Sequence, residues 1–278
     1  MPAATNTINR STINRYIATI GVFDGVHKGH QFLLSTLCRE AEKRGLQPLV
    51  VVIDKPSSHR LTTPDEQDAL LSQYTSHITH YPLSAIRHLT AQEFINLLQR
   101  EHNVSALLMG YDHRFGADQL NFAQLQSSII NQQLSIINCP STDAPISSSK
   151  IRAALENGDV EAANDMLGYP YTLTGTVVRG NGIGHTIGFP TANIQTDSRK
   201  LIPKPGVYAA ENALVNIGTN PTVGNDHLTI EAYLPHYQGP DFYDQQLSLR
   251  LTRRLRDEHH FSSLSALQSQ IQNDLAQL

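Results

Sequence analysis

Only two cysteines, Cys38 and Cys139, occur in 278 residues, and neither belongs to a CxxC pair. That scarcity excludes a disulfide framework and predicts a reducing, cytoplasmic setting. No run approaches the roughly 18 apolar residues that a membrane helix needs, so no membrane partner is expected. The first fifteen residues are polar, rich in threonine and asparagine, and hold no apolar core of a signal peptide. Basic residues are not in excess: 21 Lys and Arg face 25 Asp and Glu, a net charge of -4. Nucleic acid is therefore not expected as a partner. Thirteen histidines are many, but only His27/His30 and His259/His260 lie close in sequence. Neither set has a cysteine or carboxylate at metal-ligand spacing, which argues against a structural metal. What remains is a globular composition, 40% apolar and 17% charged, long enough for one large domain or two ordinary ones.

The first half alternates strand and helix. Tyr16 to Phe23 is β-branched and apolar and runs into the turn Asp24-Gly25. A helix is expected from about Gly29 to Arg44, with Gly45 at its C-cap. Pro48 to Ile53 reads as a strand buried on both faces. Thr63-Pro64-Asp65-Glu66 and the capping box Thr90-Ala91-Gln92-Glu93 open further helices. Ala106–Met109 and Leu134–Asn138 complete a pattern that predicts a parallel, doubly wound sheet. From Ser147 two short helices follow, ending at Gly158 and Gly168. Beyond Tyr169-Pro170 the chain becomes short strands with glycine- and proline-rich turns, the pattern of an antiparallel barrel or sandwich. Ser262 or Ser263 caps a last helix through Leu275. A boundary is expected within 165–172.

Four constellations carry chemistry. In GVFDGVHKGH, Gly21 to His30, a strand meets a glycine turn and a helix start, which can turn N–H groups toward an anion. His27 and His30, three apart, can then contact phosphate oxygens. HxxH alone suits surface histidines equally well, but the carboxyl end of a parallel strand is where such sheets bind ligands. ISSSKIR, Ile146 to Arg152, offers a second anion-binding helix start, or simply a serine-capped surface helix. GNGIGHTIGFPTAN, Gly180 to Asn193, is neither a Walker A loop nor a GxGxxG fingerprint. Its glycines Gly180, Gly182, Gly184 and Gly188 permit a flap close to phosphates. Pro190 stiffens the exit, and Thr191 and Asn193, at i and i+2, present two oxygen ligands suited to Mg²⁺ on one face. A plain glycine-rich hairpin is the alternative. In LTIEAYL, alternation puts Leu228, Ile230, Ala232 and Leu234 on one face and Glu231 on the other. Glu231 could be a general base or an ordinary solvent-facing strand residue.

Together these stretches resemble the bifunctional bacterial riboflavin kinase/FMN adenylyltransferase family, from about Ile17 to Asp274. FDGVHKGH is similar to its HxGH phosphate-binding motif, GYDHRFG to its second nucleotidyltransferase motif, and ISSSKIR to its SSTxIR-like motif. GFPTAN, PGVY, NIGTNPT, IEAYL, DFYD and LRDEHHF follow in the order of the flavokinase half. The resemblance implies an α/β doubly wound nucleotidyltransferase domain over 1–168, adenylylating FMN. It implies a mainly antiparallel β-barrel riboflavin kinase domain with a C-terminal helix over 169–278. ATP would be co-substrate of both steps, with riboflavin and FMN as the other small molecules, and self-association is allowed. His27, His30 and Arg152 would act at the phosphates, with Gly21, Phe23, Asp24, Gly29, Asp112 and Ser148 around the nucleotide. Gly180, Gly182, Gly184, Gly188 and Pro190 would form the flap, Thr191 and Asn193 would hold Mg²⁺-ATP, and Glu231 would accept the ribityl proton. Two segments depart from the family: IDKPSSHRL is short and lacks a Pro-His-Pro loop, and GADQLNF lacks a basic, glycine-rich run. A kinase-only reading, with the first half a nucleotide-binding module, stands beside the bifunctional one.

Overall fold

The computed structural model describes residues 15–110, 113–128, 134–139, 146–180, 184, 188–219, 228–240 and 242–278. Two compact units emerge from the contacts. One comprises residues 1–22, 31–56 and 68–143; the other comprises 23–30, 57–67 and 144–278.

The first unit is built on a parallel sheet of five strands, β1 (Tyr16–Gly21), β2 (Gln47–Asp54), β3 (Ile78–Pro82), β4 (Val104–Met109) and β5 (Ser135–Asn138). Their order is β3-β2-β1-β4-β5, and every neighbouring pair is parallel. The winding reverses at β1, so the chain leaves the sheet at its topological switch point. The helices of this half are α1 (Lys28–Arg44), α2 (Pro64–Leu71), α3 (Leu83–Ile86), α4 (Ala91–His102) and α5 (Phe122–Ser128). Ala18, Ile20, Val51 and Leu107 pack with Phe94, Ile95 and Leu98 of α4 in one core. The expected capping box is present on α4: Thr90 Oγ1 accepts from the Glu93 amide, and the Glu93 carboxylate accepts from that of Thr90. The first strand stops at Gly21 instead of Phe23. Phe23 (φ 51°), Gly25 (φ 82°) and Val26 (φ 33°) are left-handed, a conformation no strand can continue through.

The second unit contains a closed barrel in the order β10-β7-β6-β11-β8-β9. Its strands are β6 (Tyr171–Val178), β7 (Thr191–Thr196), β8 (Gly206–Ala210), β9 (Ala213–Thr219), β10 (Leu228–Tyr233) and β11 (Gln246–Arg256). Every pairing is antiparallel, and closure leaves no open edge. Alternation is clean along β6, where Tyr171, Leu173 and Val177 point inward. Helices α6 (Ser148–Asn157) and α7 (Val160–Leu167) bury Ile151, Leu155, Val160 and Leu167 in the same core as Val215, Ile230 and Leu249. On β10, Ile230 and Ala232 are inside as expected, but Leu228 is 43% exposed. It pairs with Thr219 at the terminal rung of the β9–β10 ladder, at the end of the strand. Helix α8 (Leu264–Leu275) begins at Ser263, whose hydroxyl accepts from the Ala266 amide. Buried Asp274 then receives Arg256 Nε and Nη2 at 3.0 and 2.8 Å, tying α8 to β11. No helix among the described residues is long and apolar enough to cross a membrane.

Candidate functional site

The left-handed turn after β1 throws the chain into a loop whose polar groups are almost all engaged. Asp24 is buried. Its Oδ1 accepts from the amides of Leu61 and Thr62 at 2.9 and 3.2 Å, and its Oδ2 from Arg152 Nη2 at 2.5 Å. Arg152 Nε donates to the His59 carbonyl at 2.8 Å, which fixes the guanidinium in orientation. Ser148 Oγ donates to the Asp24 carbonyl (2.9 Å), and Tyr169 to that of Gly25 (2.5 Å). Gly25 donates its own amide to Thr62 Oγ1. Any Cβ at position 25 would meet Leu61 Cδ1 at 2.8 Å, so a side chain fits neither the φ nor the space.

His27 and His30 stack with their centroids 3.7 Å apart, and the ring of Phe23 meets His30 edge-on at 5.2 Å. The His30 amide donates to His27 Nδ1 at 3.4 Å, a long bond that caps the start of α1. Gly29 keeps this stack open, since a Cβ there would press on the His27 ring at 3.2 Å. Burial lowers the His27 pKa to about 4. Burial, with the neighbouring His27, lowers that of His30 to about 3. Both rings are therefore neutral at physiological pH, each with an N–H to donate. His30 Nδ1 is buried without a hydrogen-bond partner, which leaves a polar atom for a ligand to satisfy. Gly21 ends β1 just ahead of this loop.

On the barrel, β7 and β10 place Glu231 directly opposite Asn193, and Tyr233 opposite Thr191. Residues facing each other across an antiparallel pair share a side of the sheet. Thr191 Oγ1 donates to Glu231 Oε2 at 3.5 Å. Burial raises the Glu231 pKa and the charge of Glu258 raises it further, against the lowering effect of the Thr191 hydroxyl. Gly180 admits the Asn193 side chain: a Cβ there would lie 2.0 Å from its Nδ2. At Gly184 a Cβ would strike the Phe189 carbonyl at 2.3 Å, and Gly188 is left-handed at φ 81°. Pro190 immediately precedes β7. The ring of Phe189 meets Tyr233 edge-on at 5.4 Å.

The structure thus gathers the predicted residues into two sets: Phe23, Asp24, His27, Gly29, His30, Ser148 and Arg152, and, on the barrel, Gly180, Thr191, Asn193 and Glu231. Asp112 and Gly182 lie outside the described residues. Sequence reasoning missed Thr62, Tyr169 and Glu258 as members of these sets. Glu258 sits within the LRDEHHF stretch and accepts from Asn216 Nδ2 at 3.4 Å, but only barrel closure brings that stretch beside β9. Among the described residues no three His, Cys, Asp or Glu side chains could together hold a metal ion.

Comparison with known proteins finds relatives over most of the chain. The FAD synthetase family model matches residues 9–150, and the riboflavin kinase family model matches residues 167–278. The bifunctional riboflavin kinase/FMN adenylyltransferase of Escherichia coli (strain K12) is 34% identical over 284 residues, covering 93% of this chain and 90% of that protein. Its counterpart from Bacillus subtilis (strain 168) is 30% identical with the same coverages. A crystal structure named as a macrolide-efflux protein from Streptococcus pneumoniae superposes with a TM-score of 0.86 at 28% identity, over 95% of this chain and 94% of that one. With both family models matched in succession and identity sustained over 93% of its length, the chain belongs to the bifunctional riboflavin kinase/FMN adenylyltransferase family.

Proposed function

We propose that this chain performs both transfers of its family on one flavin, with the barrel phosphorylating riboflavin to FMN and the loop after β1 adenylylating FMN to FAD. The division of labour follows 169–278 for the kinase and 1–168 for the adenylyltransferase. The observation that carries the reading is the cross-strand set Glu231, Asn193 and Thr191, a partly desolvated carboxylate beside two oxygen donors.

In the kinase step Glu231 takes the proton of the terminal ribityl hydroxyl. That oxygen attacks the γ-phosphorus of ATP, a new O–P bond forms, the bond to the β-phosphate oxygen breaks, and ADP leaves. A carboxylate with a raised pKa is better matched to this task at neutral pH than an ordinary glutamate. Thr191 Oγ1 and the Asn193 amide oxygen are the hard donors that Mg²⁺ prefers, and they would hold it here. When bound, the ion supplies neutralisation of phosphate charge. Gly180, Gly184 and Gly188, with Pro190, let the backbone of the flap approach the triphosphate, and Gly182 is assigned to the same flap by its motif.

In the adenylyl step an FMN phosphate oxygen attacks the α-phosphorus of a second ATP and pyrophosphate leaves. His27 and His30, neutral at rest, donate N–H groups to phosphate oxygens as charge builds up. Arg152 adds a guanidinium that Asp24 holds in place, and the α6 N-terminus at Ser148 adds the positive end of its helix. Phe23, Gly21 and Gly29 shape the loop, and Asp112 is assigned to the nucleotide or flavin by resemblance to the family's second motif. The setting is taken as the reducing cytoplasm, a reading that rests on the scarcity of cysteine, two in the chain. A kinase-only reading draws on the short IDKPSSHRL and GADQLNF segments, and on the Arg152 charge being already paired with Asp24. Incubating the protein with riboflavin, ATP and Mg²⁺ and separating the products by chromatography decides between them. FMN and FAD together are expected. FMN alone would leave only the kinase, and neither product would overturn both readings.

A further inference from the structure

Asp24 orients Arg152, but Asp24 is itself held by the amides of Leu61 and Thr62. What holds that segment comes from the kinase half of the sequence. Arg60 donates its amide to the Arg199 carbonyl at 2.7 Å and accepts from the Leu201 amide at 2.8 Å, a parallel bridge one rung long. Between those two hydrogen bonds Lys200 turns inward. Its Nζ donates to the Leu61 carbonyl at 2.8 Å and to Glu66 Oε2 at 2.6 Å, and it lies 4.6 Å from the centre of the Tyr171 ring. The Lys200 side chain is 1% exposed. Glu66 is held in turn by the Thr63 amide at 2.9 Å, and the Tyr171 hydroxyl donates to the Leu201 carbonyl at 2.7 Å.

A buried ammonium is costly unless fully bonded. Holding a helix start would need no charge, because the Thr63–Glu66 pair already caps α2. The lysine does something a methionine could not: it grips the backbone carbonyl of the residue whose amide grips Asp24. Resting on the adenylyl-transfer reading above, we propose that Lys200 is a positioning residue for FAD formation, acting through Leu61 and Asp24 on Arg152. A residue of the kinase half would then set the geometry of the other reaction.

The test uses the full chain and measures both products from the same preparation. Lys200→Met should lower the kcat of FAD formation by roughly ten- to hundredfold, the scale of a small misplacement of a catalytic group. KM for ATP and the kcat of FMN formation should stay as in the wild type. In an Arg152→Lys background, Lys200→Met should cost little more, because the group it positions is already altered. Should Lys200→Met not fold with Glu66 left unpaired, Glu66→Gln/Lys200→Met removes both charges and still leaves the Leu61 carbonyl unheld. The same loss is expected from it. FAD formation at the wild-type rate overturns the proposal, as does an equal fold-loss in both Arg152 backgrounds. Parallel loss of both activities and of cooperative unfolding in both variants makes Lys200 purely structural and overturns it too. A wild type that makes FMN but no FAD is a separate outcome: it removes the adenylyl reading, whatever the variants do.

Discussion

Glu231 takes its character from its neighbours on β7 and β9. Its strand gives it an apolar pair, Ile230 and Ala232, on the inner face, while the outer face sets it across from Asn193 and near Glu258. Partial burial and a second negative charge both favour the protonated form, so the carboxyl titrates above the ordinary 4.5. As a base it must be ionised, so the acid limb of kcat/KM for FMN formation is expected above the usual carboxylate range. Glu231→Gln should lower FMN formation by about 10² to 10⁴, the contribution of a positioned general base, and should abolish that limb. A variant that turns over like the wild type would remove Glu231 from the chemistry. The residue type was legible in IEAYL, but not its burial or its partner Glu258, because both depend on strands far apart in sequence.

At the level of elements, short-range signals in the sequence match the fold. Gly158 and Gly168 end α6 and α7 in left-handed caps at φ 84° each, and the boxes at Thr63 and Thr90 start α2 and α4. These are local arrangements of donors and acceptors, which sequence spacing fixes. The end of β1 differs from the expected one because the apolar run continues to Phe23, while the backbone turns over and Asp24 takes partners 37 and 38 residues on. Glycines tell a similar story. Gly180 reads as flexibility in the sequence, yet in the fold it is a vacancy filled by the Asn193 side chain. Gly180→Ala should therefore displace Asn193 and depress FMN formation while sparing FAD formation, measured on the two half-reactions separately. Undiminished FMN formation would show that Asn193 needs no such space.

For the molecule as a whole, the stacked histidines carry a cost that appears on acidification. In the unfolded chain both imidazoles take up protons near 6.5, whereas in the fold they stay neutral down to about 4 and about 3. Between those values the unfolded state binds more protons, so stability is intact above 6.5 and falls as the pH drops. The loss amounts to up to about 1.4 kcal/mol per pH unit for each histidine. Heat-unfolding midpoints followed by circular dichroism should decline from about pH 7 to about pH 5, with a shallower decline in His30→Leu. A midpoint flat across that range would contradict the buried, neutral pair. Asp197, its pKa lowered to about 2 by Arg199, titrates below this window and does not confuse it.

The division between sequence and structure runs along the distance of the interaction. Residue order by itself determined the α/β and barrel halves, the caps, the motif residues and, through them, the family. Those depend on periodicity, on backbone conformation and on groups a few positions apart. Only the tertiary structure decided that residues 23–30 and 57–67 pack with 144–278, that Arg152 belongs to Asp24, and that Lys200 reaches the Leu61 carbonyl. Such partners are 128 and 139 positions apart. Burial, which shifts the histidines and Glu231 and makes Lys200 need its partners, exists only once the chain has closed over them.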